Sequence, residues 1–160
     1  MRLWIFPLLL ILDVVSKIGA LHWIAPLQWG SYPFGGTPIF SDFLGISFSL
    51  NLIVNTGAAW GLFAGHPGLL FSLRTALVIG LGVYLYKFHR PITQKASLWL
   101  VATGAIGNAI DYLLYGHVID FFHFVFWGHS FPIFNLADSY ITLGVIALMF
   151  TRRSSSQKIR

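Results

Sequence analysis

The chain has 160 residues, 56% of them apolar and 9% charged, with ten Lys and Arg against five acids. Ordinary globular domains carry ~25% charged residues, so a soluble monomer is excluded and a multi-span membrane protein is the default. All five acids are Asp and Cys is absent, which removes H-E-x-x-H metalloproteases, thiol catalysis, disulfides and lipidation of the chain itself.

The first apolar stretch, about residues 3–24, is long enough to cross ~30 Å of hydrocarbon, which takes ~20 helical residues. It opens like a signal peptide, but Asp13 and Lys17 interrupt it and no A-x-A site follows. It therefore reads as a retained span. Asp13 and Lys17 stand at i and i+4 on one helix face. They are expected to neutralise each other and to touch Asn or Asp on neighbouring spans. Ser16 beside Lys17 makes a poor Ser/Lys dyad, because adjacent helical residues point about 100° apart.

The outer loop that follows, 25–66, contains Ile46-Ser47-Phe48-Ser49-Leu50-Asn51, whose alternation is that of a half-buried strand. Asn55-Thr56-Gly57-Ala58-Ala59 then reads as a small-residue turn. Here Asn51 and Asn55 suit either turn chemistry or the backbone of an extended peptide. A second span is expected over 67–88, with Arg74 about two turns below its outer end, and a third over 96–115. In the third, Gly104 and Gly107 permit close helix contact, while Asn108 and Asp111 share a face as interhelical glue or as part of a site. The second outer loop, 116–131, carries Asp120 among His117, His123 and His129, whose spacing fits no usual metal-ligand pattern. The last span, 132–150, holds Asn135 and Asp138 in its first two turns.

Arg2, Lys87, Arg90, Lys95 and the C-terminal Arg152, Arg153, Lys158 and Arg160 all fall on one side of these spans, and the two long loops contain no Lys or Arg. Both termini are therefore expected in the cytoplasm, with the loops outside. The +5 net charge follows from that asymmetry and requires no nucleic acid. The basic tail suits anionic membrane lipid.

Counting ~1.5 Å per helical residue, the intramembrane polar groups lie from mid-membrane outward, and the inner half is nearly all apolar. An ionisable group in hydrocarbon costs ~2.5–3.5 kcal/mol on insertion scales. Several at similar depth point to one shared pocket, open outward and sideways to lipid. A small proton-coupled transporter or relay using Asp13, Asp111 and Asp138 is the alternative, and it requires polar groups in the inner half as well. Asp120 and Asp138 are expected at the same level. Two carboxyls held together share a proton near neutrality, one acting as base toward water and the other as acid toward a peptide carbonyl. Two separately solvated Asp residues, or a metal site on His117, His123 and Asp120, are the competing readings.

Several blocks, taken in order, resemble the lipoprotein signal peptidases (signal peptidase II), a family of membrane aspartyl proteases. Asp13-Val-Val-Ser-Lys17 is similar to its D-x-x-[ST]-K, and Asn55-Thr-Gly-Ala-Ala-Trp-Gly61 to its N-x-G-A-A-F-G, with Trp60 in place of Phe. Gly107-Asn108-Ala-Ile-Asp111 and Gly116-His-Val-Ile-Asp120-Phe121 resemble its G-N-x-x-D-R…G-x-V-V-D-F. Tyr112 stands where that family usually has Arg, and Arg74 or Lys17 is the available substitute charge. Phe134-Asn135-Leu-Ala137-Asp138-Ser-Tyr-Ile141 resembles F-N-x-A-D-x-x-I.

The resemblance implies an all-α transmembrane class: a single domain over 1–160, built as a four-helix membrane bundle with a small extracytoplasmic β-cradle and a peripheral helix from the first loop. It implies Asp120 and Asp138 as catalytic residues. Asn55, Gly57, Asn108, Asp111 and Asn135 would bind substrate, with Asp13, Lys17 and Arg74 as structural polar groups. The implied reaction is cleavage of diacylglyceryl-modified prolipoproteins just before the lipidated Cys. It would take place at the outer face of the bacterial cytoplasmic membrane, by a monomer with neither cofactor nor metal.

Overall fold

The computed structural model describes residues 4–55, 72, 75–76, 79–84, 87 and 92–156. Helix α1 (Ile5–Trp23) has 19 residues, roughly 28 Å of rise. Its polarity is inverted relative to a soluble helix. Ile5, Leu8, Ile11, Leu12, Val15 and Ile18 are exposed, whereas Asp13, Lys17 and Ala20 are buried on one face. Apolar side chains outward and charges inward is the arrangement a lipid solvent imposes. Pro7 is tolerated because it sits in the first turn, where backbone N–H groups lack helical partners.

Helices α2 (Ile92–Tyr115) and α3 (Leu136–Ser156) pack closely along their length. A side chain on Gly104 would strike the Ala137 carbonyl, and one on Gly107 would strike the Asp13 carboxylate, so these two glycines set how near α3 and α1 come to α2. Among the described helices, Ile5–Trp23 and Gln94–Tyr115 are long and apolar enough to cross a membrane. In the expected second span, residues 72, 75–76, 79–84 and 87 are helical. Arg74 lies outside the described residues.

The all-α expectation is overturned. Both long loops feed one four-stranded antiparallel sheet, ordered β1 (Thr37–Phe43), β2 (Ile46–Asn55), β3 (Val118–Phe126) and β4 (His129–Ser130). The protein is a mixed α and β membrane fold. β2 begins where alternation placed a strand. No alternation marks β3, because Val-Ile-Asp-Phe-Phe-His-Phe-Val-Phe is apolar almost throughout, and a strand covered on both faces shows no period-two pattern. On one face Ile119 and Phe121 join Ala20 of α1 in a buried cluster. On the other, Phe122 and Phe124 contact Phe48 and Phe134. The peripheral helix expected from the first loop is not found within residues 25–55, and residues 56–66 lie outside the described set.

Two irregularities position the site. After β4 the chain doubles back along β3. The Phe122 N–H donates to the Phe134 carbonyl at 2.8 Å, and the Phe134 N–H donates to the Phe122 carbonyl at 3.2 Å, which brings the start of α3 beside Asp120. The β2–β3 register also jumps, from Leu50↔Phe122 to Ile53↔Asp120. One extra residue on β2 makes this a bulge.

Candidate active site

Lys17 is buried and its ammonium is fully engaged. It lies 2.8 Å from Asp13 Oδ2, 2.8 Å from Asp111 Oδ2, and donates to Asn108 Oδ1 at 3.0 Å. Two carboxylates and an amide oxygen thus surround the ammonium, which is what a charge removed from water requires. Each partner then passes the order outward. Asp13 Oδ1 accepts the Ala137 N–H at 2.8 Å, and Asp111 Oδ2 accepts the Ile119 N–H at 3.2 Å. With Asn108 Oδ1 held by Lys17, its Nδ2 is left facing Asp138 Oδ1, to which it donates at 2.8 Å.

The head of α3 is closed by a reciprocal cap. Asn135 Oδ1 accepts the Asp138 N–H at 2.9 Å, and Asp138 Oδ2 accepts the Asn135 N–H at 3.3 Å. This is a capping box with Asp at the third helical position, where the helix dipole also favours a negative charge. The same Asn135 reaches the other carboxyl. Its Nδ2 lies 2.7 Å from Asp120 Oδ1, 3.1 Å from Asn108 Oδ1 and 3.1 Å from the Ile119 carbonyl. Asp120 Oδ2 accepts from Asn55 Nδ2 at 2.7 Å.

Asp120 and Asp138 are therefore held by one shared asparagine, from a strand and a helix that meet only in the folded chain. Burial pushes the Asp120 carboxyl up to about 7, and the negative charge of Asp138 adds to that rise, against the donors Asn55 and Asn135.

A model of the family described as signal peptidase (SPase) II matches residues 5–152. The chain belongs to the signal peptidase II family. It is 37% identical over 150 residues to the lipoprotein signal peptidase of Chlamydia pneumoniae, covering 92% of this chain and 88% of that one. It is also 38% identical over 147 residues to that of Burkholderia vietnamiensis (89% and 81% covered). A solved structure, described as a bacterial membrane enzyme determined by the in meso method at 2.3 Å resolution, superposes with a TM-score of 0.78 at 27% identity, covering 98% of this chain and 90% of that one. A second, at 1.9 Å, gives 0.72 at 29% identity, with 92% and 89% covered. As a signal peptidase II the protein is a membrane peptidase, in keeping with its apolar helices.

In this signal peptidase II, Asn55, Asn108 and Asn135 contact the two carboxyls directly, whereas Asp111 reaches them indirectly, through Lys17 and Asn108 and through the Ile119 backbone. Gly57 and Arg74 fall outside the described residues. The three histidines are not gathered at Asp120: His123 is buried on the opposite face of β3, and His129 is exposed. Backbone groups of Ile119 and Ala137 also build the site. Side-chain motifs do not reveal such groups, although the Asn135-x-x-Asp138 capping pattern marks where α3 begins.

Proposed function

We propose that the protein is an aspartyl endopeptidase that removes signal peptides from diacylglyceryl-modified prolipoproteins, cutting just before the lipidated Cys with Asp120 and Asp138 as its dyad. The observation that carries this reading is the shared hold of Asn135 on both carboxyls, by its side-chain amide on Asp120 and its backbone N–H on Asp138, with Asn108 and Asn55 completing the donors. Asp138, at a helix N-terminus and accepting a backbone N–H, is the ionised base. Asp120, 1% exposed, holds the proton as the acid.

Asp138 takes a proton from water as the oxygen attacks the peptide carbonyl, and Asp120 gives its proton to the carbonyl oxygen. When the tetrahedral intermediate collapses, Asp138 passes the proton it gained to the departing amine nitrogen. Asp120 recovers one from the hydroxyl that becomes the new acid. The amide donors hold the carboxylates at fixed angles throughout, which is the part of the barrier that positioning lowers. The site lies at the outer face with both termini in the cytoplasm, a reading supported by the Lys and Arg bias and by the lack of either in the outer loops.

The test is incubation of the purified protein with a diacylglyceryl-modified precursor and with the same precursor unlipidated, reading product termini by mass spectrometry. Cleavage confined to the lipidated form, leaving lipidated Cys as the new N-terminus, is expected. Equal cleavage of both contradicts the lipid recognition in this reading.

A further inference from the structure

The sheet carries a second buried polar cluster, behind the site. Side chains two apart on a strand share a face. Phe48 and Leu50 pair with Phe124 and Phe122, on the face of Asp120, so Ser49 and Asn51 point the other way, toward His123. Asn55 follows Asn51 by four residues, and in a regular strand it would share that rear face. The bulge reverses the parity. Ile53 now opposes Asp120, Asn55 opposes Val118, and the Asn55 amide reaches Asp120 at 2.7 Å. A one-residue slip moves every later side chain to the other face, so the bulge is what delivers Asn55.

Asn51 sits in that bulge with no solvent exposure. Its Nδ2 donates to Ser49 Oγ at 2.7 Å and lies 3.3 Å from His123 Nδ1, while His123 Nε2 lies 2.7 Å from Ser130 Oγ on β4. Because Asn51 donates, His123 Nδ1 accepts and its Nε2–H donates to Ser130, as in a neutral imidazole. Phe34 covers the ring at 5.1 Å. The other residue of the bulge, Leu52, is tied elsewhere. Its N–H donates to the Ala25 carbonyl at 3.0 Å, and its carbonyl accepts the Leu27 N–H at 2.8 Å. Backbone groups that the bulge takes out of the β3 ladder are thereby satisfied.

We infer that Asn51 and His123 are positioning residues for catalysis, locking the β2 bulge in the register that places Asn55 on Asp120. The inference rests on Asp120 being a catalytic carboxyl. Without the cluster, β2 can relax into regular pairing, and Asp120 loses an amide donor without any change in the site's own residues.

The experiment measures kcat/KM against pH on a diacylglyceryl-modified precursor for wild type, Asn55→Ala, Asn51→Leu, His123→Leu, His123→Asn and the Asn51→Leu/Asn55→Ala double variant, with thermal unfolding of each in detergent. Asn51→Leu and His123→Leu are expected to lower kcat/KM by roughly 10–100-fold, the scale of a small misplacement. They should also move the alkaline limb to higher pH, as Asn55→Ala does, since each removes a donor that favours the charged form of Asp120. The double variant should be no worse than Asn55→Ala. His123→Asn, which keeps an acceptor for Asn51, should restore the wild-type limb.

A wild-type limb in a folded Asn51→Leu, or losses that multiply in the double variant, overturns the positioning role. If Asn51→Leu does not fold, the contrast between His123→Leu and His123→Asn decides alone, and identical profiles for the two overturn it. Activity in Asp120→Asn, run alongside, overturns the dyad instead.

Discussion

At the scale of single residues, the site is an ordered set of charges and amides in which each group fixes the next. Lys17 is the clearest case: buried between two carboxylates, it also sets which end of the Asn108 amide faces Asp138. Replacing one member of a buried ion network leaves its partners uncompensated, at a cost of about 3–5 kcal/mol. Lys17→Met should therefore lower stability by that amount, read as a fall in unfolding temperature in detergent. The second residue-scale prediction concerns pH. Burial holds the Asp120 carboxyl up at about 7, well above the ordinary carboxylate value of 3.8, and in the proposed mechanism its protonated form is the acid. Hence kcat/KM should fall as pH rises through about 7, and a profile flat from pH 6 to 8.5 would contradict that role. The i, i+4 spacing of Asp13 and Lys17 was legible in the sequence, as was their need for partners on other spans. That Asn108 and Asp111 are those partners, and that Asp111 binds the Ile119 N–H, depends on helix rotation and register, which a single chain read linearly does not contain.

At the scale of elements, strand β3 and the head of α3 make the site by running side by side. The capping box at Asn135 and Asp138 gives the Asn135 side chain two tasks, starting the helix through Oδ1 and holding the Asp120 carboxyl through Nδ2. Close approach matters equally. Gly107 abuts the Asp13 carboxylate, so Gly107→Val should push α1 from α2 and destabilise the protein by about 1–3 kcal/mol, with processing reduced in step. An unchanged melt would mean that the helices yield at no cost. Alternation revealed β2, because Ser47, Ser49 and Asn51 interrupt its apolar residues. It hid β3, where β-branched and aromatic residues bounded by Gly116 and Gly128 were the only available signal. The bulge was invisible for a related reason: Asn51 and Asn55 share a parity in the sequence, and only the pairing with β3 shows them on opposite faces.

At the scale of the whole molecule, the inside-out helix α1 and the apolar composition describe a protein built for lipid. Composition alone carried that conclusion. The proposed membrane orientation predicts that a reporter active only in the cytoplasm works when fused to the C-terminus and fails when inserted in the 116–131 loop; the reverse pattern would invert the topology. The central claim is that Asp120 and Asp138 act as one catalytic unit. The measurement that tests it most directly is cleavage of a diacylglyceryl-modified precursor by Asp120→Asn and Asp138→Asn, each purified and shown by its melting curve to be folded. Loss of turnover in both is expected, by at least roughly 10²–10⁴-fold, the range for removing a positioned acid or base. Turnover near the wild-type rate in either folded variant would contradict the account.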